Sequence, residues 1–169
     1  PAIEKVDPHQ RNLQVLILCP TRELAVQAAE EMKKFGKHKR GIRILPIYGG
    51  QSIDRQILAL RQGVQIVIGT PGRVMDHLER ESLKLDALKA IVLDEADEML
   101  RMGFIDDVEW ILEHTPAERQ TALFSATMPN VIRDVARRHL RNPQEIKIRA
   151  ATSTVAKISQ RYWLVRGVD

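Results

Sequence analysis

Ala90-Ile91-Val92-Leu93-Asp94-Glu95-Ala96-Asp97 is a four-residue apolar run that ends in three carboxylates within four positions. The run is rich in β-branched residues and too short for a helix, so it reads as a buried parallel strand with acid at its C-terminal end. In an open α/β sheet, ligands bind in the crevice beyond the carboxyl ends of the strands. Two adjacent carboxylates there can hold Mg²⁺ through its waters and orient an attacking water. An ordinary core strand followed by a charged, solvated turn fits the same eight residues. The segment alone does not choose between the two, so the flanking sequence must.

Upstream, residues 64–68 form another apolar strand, running into Gly69-Thr70-Pro71-Gly72-Arg73 and a helix to about Arg80. Residues 42–48 form a strand near a sheet edge, because Pro46 removes a ladder donor, and they end in Gly49-Gly50. A helix over 53–61 follows and stops at Gly63. Earlier still, residues 13–19 are a continuous apolar strand, and Pro20-Thr21-Arg22-Glu23-Leu24-Ala25 opens a helix to Phe35 with Leu24, Ala28, Met32 and Phe35 on one face. Residues 1–12 are polar and irregular, with a turn at Asp7-Pro8.

Downstream, short helices are expected over 98–102 and 105–114, then a strand over 120–124 leading into Ser125-Ala126-Thr127. A helix over 129–140 and a brief sixth strand over 145–148 complete the pattern. Residues 150–158 have linker composition, and 159–165 read as a strand that begins another unit. Strand and helix alternate throughout. That predicts an α/β fold with a mainly parallel sheet and helices on both faces.

Composition narrows the function classes. The chain of 169 residues has 44% hydrophobic and 28% charged residues, the balance of a water-soluble globular domain. With 4% aromatic residues, a stacking platform for bases is not expected. A net charge of +4 tolerates a polyanionic partner. Cys19 is the single cysteine, which excludes an internal disulfide and a cysteine zinc site, and the five histidines lack metal-ligand spacing. No apolar run approaches the ~18 residues of a membrane span, and a cytoplasmic location with no membrane partner is expected.

Pro20-Thr21-Arg22 and Thr70-Pro71-Gly72-Arg73 share a plan: a buried strand, a threonine at a helix N-terminus, and an arginine in the first turn. Thr70 suits the N-cap and Pro71 the first helical position. Gly72 and the Gly49-Gly50 pair allow close backbone approach. Unpaired N–H groups, the positive end of the helix dipole and a forked guanidinium favour anions. Phosphodiesters along one nucleic-acid strand fit such a row. Plain capping with surface arginines explains one such start; two starts plus the glycine pair tip the balance toward phosphate binding. Ser125 and Thr127 bring hydroxyls to the same crevice, with Asp97 as their natural partner, although residues of this type are also common caps before a proline-led helix.

With these segments in place the chain resembles the DEAD-box ATP-dependent RNA helicases, on Asp94-Glu95-Ala96-Asp97, residues 20–25, Gly49-Gly50, residues 70–73 and residues 125–127, in family order. Residues 98–104 are most similar to the bacterial cold-shock branch. The resemblance implies a RecA-like domain of the P-loop NTPase type, using ATP and Mg²⁺. Asp94 would hold Mg²⁺ through water, Glu95 would polarise the attacking water, and Asp97 would connect to Ser125 and Thr127 to couple nucleotide state to domain closure. Pro20, Thr21, Arg22, Glu23, Gly49, Gly50, Thr70, Pro71, Gly72 and Arg73 would make up the RNA-binding segments, contacting the sugar-phosphate backbone of a single strand or short duplex rather than its bases.

The departure from the family is equally plain. No G-x-x-x-x-G-K-[ST] occurs; Gly36-Lys37 is followed by His38. The resemblance therefore implies a partial RecA-like domain 1 over residues 1–149, truncated before its first strand and phosphate loop, a linker over 150–158, and the start of a second RecA-like domain over 159–169. It also implies that residues 1–7 are the tail of a preceding helix. The strand over 120–124 would then lack a neighbour, fraying the C-terminal third or inviting an intermolecular contact. These residues alone are expected to be inactive as an ATPase. Alternatives are a DNA-directed helicase of the same superfamily and a non-catalytic RNA-binding or scaffold module. Partners expected of the intact protein are RNA and its own second domain, with ribosome-assembly or RNA-decay factors open.

Overall fold

Five parallel strands in the order β2-β3-β1-β4-β5 make the sheet of this chain, whose computed structural model describes residues 1–148. The strands are β1 (Val15–Leu18), β2 (Ile44–Ile47), β3 (Ile66–Gly69), β4 (Ala90–Leu93) and β5 (Gln120–Leu123). Between them run α1 (Ala2–Lys5), α2 (Arg22–Phe35), α3 (Ile53–Arg61), α4 (Pro71–Glu79), α5 (Ala96–Arg101), α6 (Ile105–Glu113) and α7 (Asn130–His139). The expected linker over 150–158 and strand over 159–165 lie outside the described residues.

Alternation of side chains along each strand divides the core in two. Leu16, Leu18, Val67, Ile91 and Leu93 face the layer of α4 to α7, where Val74, Met99, Val108, Ile111, Ile132 and Val135 meet them. Val15, Ile17, Ile66, Ile68 and Ala90 face α1 and α2 through Val6, Ala25 and Ala29. Every residue of β1 and β3 is buried, as expected of central parallel strands covered on both faces. Pro46 sits in β2 at the end of the sheet, where a missing donor costs no ladder bond on its open side.

Four local expectations are corrected. Residues 145–148 form no strand, and Ile146 and Ile148 are 88% and 93% exposed. An alternating pattern becomes a strand only when a ladder receives it; these residues instead line a groove of about 820 Å³ with Phe124 and α7. α7 itself is anchored by Ile132 and Val135, both fully buried. Residues 2–5 are helical rather than irregular, as the helix tail implied by the resemblance has it, and the Lys39 ammonium gathers the carbonyls of Ile3, Glu4 and Val6 at 2.9, 3.1 and 2.7 Å, a contact that local sequence does not announce. The buried stripe of α2 is Ala25 and Ala29, flanked by Leu24, Ala28 and Met32, while Phe35 at the helix end is 72% exposed. Within the fold, Gly72, Gly49 and Gly50 are not close-approach glycines: a Cβ at Gly72 would meet only an Asp107 carboxylate oxygen at 3.5 Å, and one at Gly49 or Gly50 nothing within 4 Å.

That role falls to Gly69. A Cβ at Gly69 would lie 2.6 Å from the Ile47 carbonyl oxygen and 2.9 Å from Val74 Cγ2, wedging β2 and α4 away from β3. Gly69→Ala is therefore expected to destabilise the fold by about 1–3 kcal/mol, the usual cost of overpacking. Gly49→Ala, with nothing within 4 Å of its Cβ, should stay within about 0.5 kcal/mol. Urea midpoints compare the two, and equal midpoints would contradict the packing argument.

Candidate functional site

Pairing register places Ile47, Gly69, Leu18, Leu93 and Leu123 in one row across the sheet. At about 4.8 Å per strand the row is roughly 19 Å long. Every segment singled out from the sequence begins one or two residues beyond it. Backbone bonds lock these exits together: Cys19 N–H to Gly69 O at 2.9 Å, Thr70 N–H to Ile47 O at 3.1 Å, Asp94 N–H to Leu18 O at 2.9 Å and Phe124 N–H to Leu93 O at 2.8 Å.

At the β4–β5 end, Asp97 is buried in the first turn of α5, and its Oδ2 accepts from the Thr127 hydroxyl at 2.7 Å and the Thr127 amide at 2.9 Å. Ser125 Oγ accepts from the Asp97 amide at 3.1 Å and donates to Thr127 O at 2.6 Å. The Thr127 hydroxyl, with Ser125 and the Thr127 amide behind it, holds the Asp97 carboxyl down at about 2. Asp97 is thus ionised and fully engaged. Asp94, half-buried, and Glu95, exposed, accept no side-chain hydrogen bond among the described residues. Glu95 occupies the left-handed region at φ 53° and ψ 53°, a conformation costly for a residue with a Cβ. Their negative field reaches β1: burial first, then Asp94 and Glu95, push the Cys19 thiol up to about 12. Cys19 is accordingly an inert core residue.

Two free carboxylates on adjacent residues at a strand end suit a hard cation that keeps most of its waters. Among the described residues no three His, Cys, Asp or Glu side chains gather as a dedicated cage. The donor set is one that a hydrated divalent cation such as Mg²⁺ would fit.

The β1–β3–β2 end is a surface of donors. Thr21 caps α2, its Oγ1 accepting from the Leu24 amide at 3.3 Å, and Pro20 is buried beneath. Arg22 and Glu23 are exposed in the first turn of α2, and the Arg22 guanidinium lies 5.0 Å over the Tyr48 ring. Thr70 occupies the N-cap of α4 with its hydroxyl unused for capping, followed by Pro71 at N1. Gly49 and Gly50 are exposed, and Gly50 needs its glycine for a φ of 80°. Arg73 donates through Nη1 to Gln51 O and to Gln56 Oε1, both at 2.9 Å. Arg22 and Arg73 thus flank the same β2 exit turn.

Sequence reasoning missed Tyr48, Gln56, His77 and Ser82, which hold that turn. Gln56 and His77 are 2% and 0% exposed; a glutamine and a histidine on the inward faces of α3 and α4 were the available signal. Arg137 and Arg138 of α7 pair with Asp134 and Glu109, and Arg141 beyond it pairs with Glu118. His114 ends α6 by meeting Trp110 O at 2.7 Å through Nδ1.

Comparison with known proteins follows this geometry. A family model described as DEAD/DEAH box helicase matches residues 1–135. ATP-dependent RNA helicase DeaD of Klebsiella pneumoniae is 55% identical over 168 residues, covering 99% of this chain and 26% of that protein. DEAD-box ATP-dependent RNA helicase CshA of Bacillus licheniformis is 52% identical over 162 residues, 96% of this chain and 33% of that protein. The crystal structure of a DEAD box protein from the hyperthermophile Methanococcus jannaschii aligns with a TM-score of 0.79 at 46% identity, over 83% of this chain and 38% of that one. This chain spans about a quarter to a third of the curated relatives' length.

The Asp97 cluster makes a pH-dependent contribution to stability. Its folded-state pKa lies below that of an unfolded aspartate, so the stabilisation is complete above about pH 4 and is lost as pH falls toward about 2. Thr127→Val is expected to cost about 1–2 kcal/mol near neutral pH, shrinking as Asp97 protonates. Denaturant unfolding of both proteins from about pH 7 to about pH 2.5 measures the difference; a gap that stays constant across the range would refute the assignment.

Proposed function

This chain belongs to the DEAD/DEAH box helicase family, and on that premise we propose that it supplies the acidic nucleotide rim and part of the RNA track of an ATP-dependent RNA helicase. The observation that carries the proposal is the single row of strand exits, acidic and hydroxyl-bearing at β4–β5 and donor-bearing at β1–β3–β2.

A bound magnesium nucleotide supplies the scissile phosphoanhydride and the cation that draws off its charge. Asp94 holds that cation through waters. Glu95, with no competing hydrogen bond, orients a water and accepts its proton. Asp97 keeps the loop of Ser125 and Thr127 docked against α5, so that movement at the acidic rim is passed to the β5 exit. Thr21, Arg22, Gly50, Gly72 and Arg73, with their neighbours Pro20, Glu23, Gly49, Thr70 and Pro71, receive the phosphates of one RNA strand without reading bases. The second RecA-like domain of the intact protein closes over both. No G-x-x-x-x-G-K-[ST] cradle lies within these 169 residues, so nucleotide turnover belongs to the longer polypeptide.

In the full-length protein carrying this sequence, Glu95→Gln should lower RNA-stimulated ATP hydrolysis by about 10²–10⁴-fold, with nucleotide affinity within about threefold. Turnover close to the parent's would remove Glu95 from the chemistry. The 169-residue chain by itself should show no ATP hydrolysis above background. Its binding to single-stranded RNA should weaken with salt at a log–log slope of about −0.7 per phosphate neutralised. Salt-independent binding would argue against a phosphate track.

A further inference from the structure

We infer that Gln56 is the positioning residue of the RNA track, orienting Arg73 and the β2 exit turn through one buried amide. The inference rests on the phosphate-track reading above and adds to it a residue that reaches no phosphate itself. Gln56 lies on α3 and is 2% exposed. Its Oε1 accepts from Arg73 Nη1 at 2.9 Å and faces His77 Nε2 at 2.9 Å. Its Nε2 donates to Tyr48 O at 3.1 Å and to Gln51 Oε1 at 2.8 Å.

The partners fix which way the amide points. Arg73 can only donate and Tyr48 O can only accept, so a flipped amide would set donor against donor and acceptor against acceptor. With Oε1 facing His77, the imidazole must present Nε2–H to it. Nδ1 lies 2.8 Å from Ser82 Oγ, whose hydroxyl donates to His77 O at 3.0 Å. Burial first, and the Arg73 charge second, lower the His77 pKa. One side chain thus joins the exits of β2 and β3, and Tyr48 in turn underlies Arg22 at 5.0 Å.

Arg73 commits Nη1 to Gln56 and Gln51 and sets Nε 3.9 Å from Asp76 Oδ2, while Nη2 makes no hydrogen bond among the described residues and would be the group to meet an anion. A guanidinium already immobilised loses less freedom on meeting a phosphate than one that must be ordered at that moment. Glutamine is demanded here: glutamate cannot donate to Tyr48 O, and leucine can do neither job.

Two measurements on this chain test the inference separately from the reading beneath it. Side-chain ¹⁵N relaxation of the Arg73 Nε–H should show backbone-like order in the parent, greater mobility in Gln56→Leu, and retained order in Gln56→Glu, which keeps the acceptor. Gln56→Met replaces the leucine variant if that one does not unfold cooperatively. Arg73 as rigid in Gln56→Leu or Gln56→Met as in the parent overturns the inference, whatever RNA binding shows. Affinity for a fluorescent single-stranded oligouridylate should fall about three- to tenfold in Arg73→Ala and by a similar factor in the Gln56 variant, with the salt slope shallower by about one phosphate contact in each. The double variant should bind no more weakly than Arg73→Ala alone. Additive losses, or a neutral Gln56 variant beside a weakened Arg73→Ala, overturn the inference and leave the phosphate track standing. Unchanged binding in Arg73→Ala overturns the track itself, and the inference with it.

Discussion

Level termination of five parallel strands is the constraint on which this molecule depends. Ile47, Gly69, Leu18, Leu93 and Leu123 stand in register, so each chain exit emerges at the same height and beside its neighbour. Parallel ladders demand long crossovers, and these leave the sheet as helices whose N-termini all open at one rim. Each strand exit therefore delivers a polar segment to the same rim. No single side chain could achieve this; the register does it once for the whole surface. Gly69 shows how tight the arrangement is, since even one methyl group there meets the backbone of β2.

On that rim, two buried polar junctions turn adjacent loops into fixed surfaces. Asp97 ties α5 to the β5 exit through Thr127, and Gln56 ties the β2 exit to the first turn of α4 through Arg73. Buried polar atoms without partners are costly, so a junction whose buried amide or carboxylate is held by several partners has one strongly preferred arrangement. The apolar layers beneath cannot supply this. They set where the helices lie, and the polar junctions set where the loop side chains stand.

Much of this was legible in the residues. Continuous apolar runs announced β1, β3 and β4, and a proline placed β2 at an edge, because burial on both faces and a missing donor are local properties. The Asp97–Thr127 pair was readable because a carboxylate and a hydroxyl at neighbouring strand ends have few other partners. Residues 145–148 misled for the converse reason: their alternation is local, but a ladder needs an edge to join, and exposure of Ile146 and Ile148 shows that none receives them. Lys39 capping α1, Gly69 under Ile47, and Gln56 between Tyr48 and Arg73 all join residues distant in sequence and leave no periodic trace. Phe35 lay on the expected stripe of α2 but is the last residue of the helix, where it stays exposed.

The two halves of the rim differ in sign as well as in role. Free acceptors, Asp94 and Glu95, stand at the β4 exit, and one strand away the β1 exit begins a run of donors at Thr21, Arg22 and Arg73. Strands are about 4.8 Å apart, well inside the roughly 8–10 Å over which salt screens charge at physiological strength. Each half therefore feels the other. On the proposed function, a bare polyanion held by the donors would meet rising repulsion toward β4. An anion carrying its own divalent cation would not, because Asp94 and Glu95 would then face positive charge. Burial first, and that acidic field second, raise the Cys19 thiol pKa just beyond the boundary strand. On the function proposed above, separation of a metal-bearing nucleotide from a metal-free nucleic-acid strand would follow from the order of the strands and the charge at their ends.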